Sequence, residues 1–303
     1  MYSDRQLAAN LNEENINYLR NKHRGGQVNQ KGNSYENFFA IYQIALLAKE
    51  IISQEVEDID IFSQIVAFVD DLIIDRGVGL DLQHFQIKES QSLSWGTDNS
   101  DVKIAFDFRM QFQLNTNALN RSSIMSVVVS SEDVAKKLIA KMPMDIQAYS
   151  SVIFFPYRKT INELLTVNNQ LREAISYLTA FENPTQDKIE CVATVLIGAW
   201  VSSDTSQTTV RNVLEKAQNC QPSFIRSFKS DDSFALEPKV ISILQSINGF
   251  TYSISRGFFH WEYPVLGMDG TYPISLESEE FQKLQNLILQ ISPTTFEDLE
   301  NLL

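Results

Sequence analysis

The sequence is poor in the features that announce the commonest functional classes. Its 303 residues hold two cysteines, Cys191 and Cys220, and three histidines, His23, His84 and His260. Neither cysteine has a second thiol or an imidazole at ligand spacing, which excludes a zinc ribbon or finger. Two buried thiols in a reduced compartment, lying in helical or helix-adjacent segments, are the plain reading, and they fit a cytoplasmic protein. No run of about 18 apolar residues exists, so no spanning helix is expected. The opening Met1-Tyr2-Ser3-Asp4-Arg5 lacks the basic-then-apolar profile of a signal peptide. There is no Walker-type phosphate loop, no internal repeat and no low-complexity tract. Positive charge is also scarce. Against 38 acids stand 25 bases, a net charge of −13, which on first sight counts against a nucleic-acid binder. The acidity is shared, with 20 acids and 14 bases in residues 1–150 and 18 and 11 in 151–303. One local exception is the stretch 20–31, where Arg20, Lys22, Arg24 and Lys31 surround His23 without an acid. It is a candidate phosphate-contacting segment, with a solvated loop as the ordinary alternative.

What is present is the composition of a folded protein, 44% hydrophobic and 21% charged, long enough for one large domain or two ordinary ones. A helical start from Arg5 to Leu19 runs into Gly25-Gly26 and a Gln/Asn/Gly-rich loop. Ser34 reads as the N-cap of a helix to about Ser53, whose Phe38, Phe39, Tyr42, Leu46, Ala48 and Ile51 recur at helical spacing. After the acidic patch Glu55 to Asp60, the Ile/Val/Phe-rich segment Gln64 to Asp75 reads as extended chain. It pairs across the turn Arg76 to Gly79 with a strand from Leu82 to Glu89. A helix over 102–115, a strand Met125–Val129, a helix Glu132–Met142 behind Ser131 and a strand Val152–Phe155 follow. This order predicts a small mixed sheet with flanking helices. From Thr160 the pattern turns helical, over Asn162–Phe181, Gln186–Val201, Val210–Gln218, Pro238–Ile247, Glu277–Gln290 and Thr295–Leu303. An aromatic-rich extended stretch, Phe250 to Pro264 followed by the turn Met268-Asp269-Gly270, interrupts it and predicts a buried hairpin, with a partner-docking surface as the sharper alternative.

The chemistry concentrates in the first half. Residues i and i+2 of a strand point to one face, so Gln86 and Lys88 project together. Asp71 lies 15 residues before Gln86, a separation that a hairpin closes. Asp70 points the other way in a regular strand and is held in reserve. Glu36, in the first turn of the preceding helix, approaches the same point from the side. Oxygen ligands converging beside a cation are what metal-assisted phosphodiester hydrolysis requires. Each residue also has an ordinary reading: Gln86 as a polar edge residue, Lys88 as a snorkelling lysine, Glu36 as a carboxylate on a helix dipole. The scattered histidines make no zinc set, although His84 shares the Gln86 face. Trp95 reads as a loop anchor, with base stacking as the alternative.

Tyr35-Glu36, then Asp70-Asp71, then Gln86-Ile87-Lys88 resembles the restriction-endonuclease-like PD-(D/E)xK superfamily. It is most similar to the subgroup with glutamine in the last motif, which includes the Cap-type and Lamassu-type effector nucleases of antiphage defence. Arg24-Gly25-Gly26, Ser94-Trp95-Gly96 and Asp107-Phe108 with Gln111 extend the likeness, which covers about residues 20–155. The resemblance implies magnesium (or manganese) bound by Glu36 and Asp71 with help from Gln86, and Lys88 acting on the attacking water or the phosphate. Gln86 offers a neutral oxygen where a carboxylate is standard, and no proline precedes Asp70 or Asp71. The expectation is therefore an α/β (α+β) restriction-endonuclease-like domain over residues 1–157 and a mostly α-helical regulatory or docking domain over 158–303. The implied function is a metal-dependent DNA endonuclease held inactive until it is triggered or assembled, with an SMC-like ATPase as the family-level partner, no membrane and a possible oligomer. The rival is an interaction subunit that keeps the fold without the chemistry.

Overall fold

Helix starts in this chain are set by short polar side chains, and the sheet by β-branched runs between them. The computed structural model describes residues 2–29, 34–96 and 103–303. Ser3 caps α1 (Asp4–Asn10) through a reciprocal capping box with Gln6. Next come α2 (Glu13–Asn29) and α3 (Ser34–Ile52), a helix buried along most of its length. Strands β1 (Asp60–Phe62), β2 (Leu72–Asp75) and β3 (Leu82–Lys88) form an antiparallel meander. Helix α4 (Ile104–Leu114) runs into a π-helical turn, Asn115–Leu119. It leads to β4 (Ser123–Val129), α5 (Glu132–Ala140), capped by Ser131, and β5 (Ser150–Phe154). Then follow α6 (Ile161–Val167), α7 (Asn169–Leu178), α8 (Gln186–Val201), β6 (Thr208–Thr209) and α9 (Val210–Gln218). The chain closes with α10 (Pro238–Ser246), β7 (Thr251–Ser255), β8 (Phe258–Tyr263), β9 (Met268–Thr271), α11 (Glu279–Ile291) and α12 (Phe296–Glu300).

The main sheet has the order β5-β4-β3-β2-β1-β6, and it is mixed: β3, β4 and β5 run parallel while the other pairs are antiparallel. The protein is thus mixed α/β with a mixed central sheet. Alternation along β3 sends Phe85 and Ile87 into the core around α3, leaving His84 and Gln86 on the other face. That second face packs Met125, Val127 and Val129 against Phe108 of α4, Val134 and Leu138 of α5, and Trp95. Around α3, Phe39 touches Phe85 and Phe155 at ring-centroid separations of 5.2 Å, and Tyr35 donates to the Phe155 carbonyl.

Residues on both sides of 157/158 share the α3 core. Leu164, Ile175, Val192, Leu196, Trp200 and Leu214 pack into it, and Thr208-Thr209 extend the main sheet beside β1. A separate core lies further along, where Leu236, Val240, Phe259, Phe281 and Ile288 pack together. There the aromatic segment forms an antiparallel β7-β8-β9 sheet, one face of which is covered by α10–α12; Tyr263 stacks on Phe296 at 4.1 Å. No helix among the described residues is long and apolar enough to cross a membrane.

Several local expectations fail for identifiable reasons. The basic stretch after residue 20 is not a loop, because α2 continues through Gly25-Gly26. The segment 64–71 is not extended: its backbone is held by side chains and bends, with the Phe68 and Val69 amides donating to Gln111 Oε1. Strand β1 emerges from the end of the acidic patch, since Ile59 and Ile61 are buried and draw Asp60 opposite Asp75. Asn168 splits the helix expected over 162–181 by capping α7 with its own side chain. Met268-Asp269-Gly270 is strand, not turn. The two thiols are not the buried pair expected, since Cys191 is half-buried on α8 and Cys220 is exposed just beyond the end of α9. The half expected to be mostly helical therefore also carries β6 to β9.

Truncation tests the shared core. A fragment ending at residue 157 leaves the apolar face of α3 uncovered and is expected to aggregate or to melt without a cooperative transition. One ending near residue 230 retains that core and is expected to unfold cooperatively in denaturant. Cooperative unfolding of the shorter fragment would contradict this packing.

Candidate active site

Asp71 stands immediately before β2, where the bent segment 64–71 becomes strand. The segment is pinned by the Ser63 hydroxyl donating to the Asp71 carbonyl (2.9 Å) and by Gln64 N–H donating to the Asp70 carbonyl (2.7 Å), so that the Asp71 carboxyl is turned onto β3.

 
That Gln64–Asp70 backbone bond of 2.7 Å closes the bend. One oxygen of Asp71, Oδ2, then receives three donors: the Gln86 amide Nε2, the Ile87 backbone N–H (2.7 Å) and the Lys88 ammonium (3.1 Å). Oδ1 has no donor among the described residues. Asp71 is 7% exposed and Gln86 2%, whereas the Lys88 side chain keeps 41% of its surface in solvent. A carboxylate gripped on one oxygen is held in one orientation with the other left for a ligand.

Asp70 turns away from these groups toward the N-terminal helices. Its Oδ1 is buried without a hydrogen bond, and the Lys22 ammonium lies 4.0 Å from it. Lys22 reaches in from α2, donating to Asp107 Oδ2 of α4 (2.8 Å), to Gln86 Oε1 (3.1 Å) and to the Phe68 carbonyl. Tyr18, one turn earlier on α2, donates to the other Asp107 oxygen at 3.0 Å. Burial and the adjacent Asp71 charge push the Asp70 carboxyl up to about 7, against the pull of Lys22. Burial likewise raises Asp107, although Lys22 opposes it. For Lys22 burial acts downward, but the Asp107 and Asp70 carboxylates outweigh it and the ammonium is held more firmly than usual.

Glu36 accepts from Gln64 Nε2 at 3.3 Å and lines, with Asp71 and His23, a cleft of about 590 Å³. The last turn of α8 and the loop after it, from Trp200 to Ser206, also line it. That stretch is tied down by the Ser63 N–H donating to the Thr205 carbonyl (2.7 Å) and by Trp200 Nε1 donating to Asn37 (3.1 Å). Three carboxylates line the cleft, Glu36, Asp71 and Asp204, and magnesium characteristically takes one or two while keeping several waters. Among the described residues no group of three Asp, Glu, His or Cys side chains could hold a metal. Gln86, the expected third ligand, turns its amide nitrogen to Asp71 and its oxygen to Lys22.

Of the four expected phosphate contacts, Lys22 is in the buried network and Arg20 lies on the surface, 3.8 Å from Asp4. Lys31 and the side chain of Arg24 lie outside the described residues. Trp95 anchors its loop, its Nε1 donating to the Leu138 carbonyl at 2.8 Å. Sequence reasoning missed the parts played by Lys22, Asp107 and the 200–206 loop. A signal for Lys22 was present, because Leu19 and Lys22 are three apart and share one face of a helix that runs on through the double glycine. Nothing local marked the loop, which comes from 130 residues further along.

Behind the site, His84 fixes the same segment. Its Nδ1 faces the Val69 carbonyl (2.9 Å), which only accepts, so Nδ1 carries the proton and Nε2 accepts from Asn115 Nδ2 (3.0 Å). Complete burial lowers His84 to about 4. Between its unfolded value of 6.5 and about 4, the unfolded chain binds a proton that the folded chain excludes. His84 thus favours folding fully above pH 6.5, and this contribution fades as pH falls through that window. Denaturant unfolding at pH 7 and pH 4 is expected to show wild type losing about 3 kcal/mol more than His84→Asn. Asp70 titrates in both proteins and cancels from the difference; equal losses would contradict the account. Comparisons with protein-family models, with curated proteins and with solved structures find no match.

Proposed function

We propose that this protein is a metal-dependent nuclease of the restriction-endonuclease-like kind, hydrolysing phosphodiester bonds of DNA. The observation that carries the reading is the grip of Gln86, Ile87 and Lys88 on one oxygen of Asp71, beside Glu36 in an open cleft. The order of α3, the β1-β2-β3 meander, α4 and the parallel strand β4 supports it, since this order delivers the acidic residues and the Gln-x-Lys strand to one end of the sheet.

Glu36 and Asp71 would hold the magnesium or manganese ion, which when bound supplies a Lewis acid and an activated water at neutral pH. The protein's own groups do the rest. The three donors on Oδ2 orient Asp71, so that no rotation is needed when a ligand reaches Oδ1. Lys88, half exposed and 3.1 Å from Asp71, offers its remaining N–H groups to a scissile phosphate or to the attacking water. A fixed ammonium there favours the charge that develops on the phosphoryl oxygens. The end of α8 and the loop after it, Trp200 to Ser206, line the cleft and link this chemistry to the second half of the chain.

The resemblance of the motifs extends the proposal to an effector of antiphage defence, restrained until it assembles with a partner such as an SMC-like ATPase. A net charge of −13 is consistent with a surface that does not seek DNA unaided. One observation favours the second reading, a non-catalytic interaction subunit: the nitrogen of Gln86, not its oxygen, faces Asp71, and no three-residue metal group exists among the described residues.

Plasmid cleavage separates the two. Wild type supplied with magnesium or manganese is expected to nick or linearise DNA, and Lys88→Ala and Asp71→Asn each to lose about two to three orders of magnitude in rate. Circular dichroism should remain that of a folded protein. Cleavage unchanged in both variants would remove the site assignment. No cleavage of DNA or RNA by wild type, with or without the native partner complex, would favour the interaction subunit.

A further inference from the structure

The Lys22 ammonium is surrounded by four oxygens: Asp107 Oδ2 at 2.8 Å, Gln86 Oε1 at 3.1 Å, the Phe68 carbonyl and Asp70 Oδ1 at 4.0 Å. Two are carboxylate oxygens and two are neutral, a hard donor set of the kind a divalent ion selects. Three of the four residues are separately fixed. Phe68 is pinned through its N–H to Gln111 Oε1 (2.8 Å), Asp107 by Tyr18 (3.0 Å), and Gln86 by Asp71. The lysine itself is tethered, because Leu19 on the same helix is fully buried with Leu7, Phe68 and Leu114.

We propose that Lys22 is a tethered cation in a pre-built oxygen cage, and that by filling it Lys22 positions Gln86 as a donor to Asp71 and not as a metal ligand. The role given to Asp71 rests on the proposed nuclease function; the cage does not. An ammonium has three donors and no acceptor, so the amide atom of Gln86 that faces Lys22 must be its oxygen. The nitrogen is then obliged to face Asp71. Charge explains why a glutamine stands at this position. Asp70, Asp71 and Asp107 already bury three carboxyl groups beside two ammoniums, Lys22 and Lys88, and a glutamate at position 86 would add a fourth acid without a further cation. The motif is thus completed from outside itself, by a residue 64 positions earlier in the chain.

Removing the tether should leave the cage open to a metal and free the amide to rotate. Bound Mn2+ can be counted by electron paramagnetic resonance during titration, which requires no catalysis. Lys22→Ala is expected to bind one more Mn2+ per chain than wild type, and propylammonium chloride, which replaces the missing head group, to compete for that extra site alone. Cleavage by this variant should fall about tenfold or more in kcat with little change in KM for DNA, as for residues that orient a metal ligand from behind. A Mn2+ count equal to that of wild type, or a rise in KM with kcat unchanged, would overturn the proposal. If wild type binds no Mn2+ and Lys22→Ala binds one, the cage stands and the Glu36–Asp71 metal site fails. If both bind one, the cage fails and that site stands. Should Lys22→Ala not fold, nitrogen-15 spectra of wild type decide. The caged ammonium is expected to give a slowly exchanging NH3 resonance at pH 7, and its absence, with every lysine exchanging as in free solution, would overturn the proposal.

Discussion

Three buried acids, Asp70, Asp71 and Asp107, meet two ammoniums, Lys22 and Lys88, at one end of the main sheet, and the geometry of the region follows from how they balance. Buried carboxylates without partners are costly, and a cation removed from such a group leaves an uncompensated charge. Each acid is therefore given a distinct environment. Asp107 takes Lys22 and the Tyr18 hydroxyl, Asp71 takes Lys88 with two N–H groups, and Asp70 keeps a buried oxygen with no hydrogen bond and a carboxyl pushed up to about 7. The groups are not interchangeable. Asp71 remains available to the cleft because Lys22 and Asp107 absorb one another behind it.

The scaffold makes this arrangement possible by distributing the polar residues over elements that are rigid for other reasons. Strand β3 is clamped between β2 and β4, so that Phe85 and Ile87 secure one face while Gln86 and Lys88 act on the other. The bent segment 64–71 is less regular, and its position depends on Gln111, Asn115, His84 and Tyr2, which hydrogen-bond in sequence beneath it. Helices α6 to α9 enclose α3, and the loop after α8 reaches the cleft from the same body. The loop after α8 and the N-terminal helices thus both border the groups around Asp71, the first through the cleft and the second through Lys22 and Gln86.

Much of this was legible in the sequence where periodicity was strong. The buried α3, the Gln86-Ile87-Lys88 strand, α4, β4 and α5 follow from apolar spacing and capping, and Asp71 does meet Gln86 and Lys88 across a hairpin. What was not legible depended on partners distant in the chain. The acidic run ending at Asp60 hid β1, whose strand character comes from two buried isoleucines and neighbours on both sides. Segment 64–71 has the composition of a strand, but side-chain acceptors replaced the ladder. Lys22 read as a phosphate contact because its charge was visible and the acids that neutralise it, 48 and 85 positions away, were not. The orientation of the Gln86 amide was beyond sequence for the same reason.

Anomalous scattering from manganese in crystals of the wild-type protein locates the bound metal. One peak is expected in the cleft between the carboxylates of Glu36 and Asp71, with Lys22 still seated against Asp107 and Gln86. A peak inside the oxygen cage with Lys22 displaced, or a metal bound by the Gln86 oxygen, would overturn that placement.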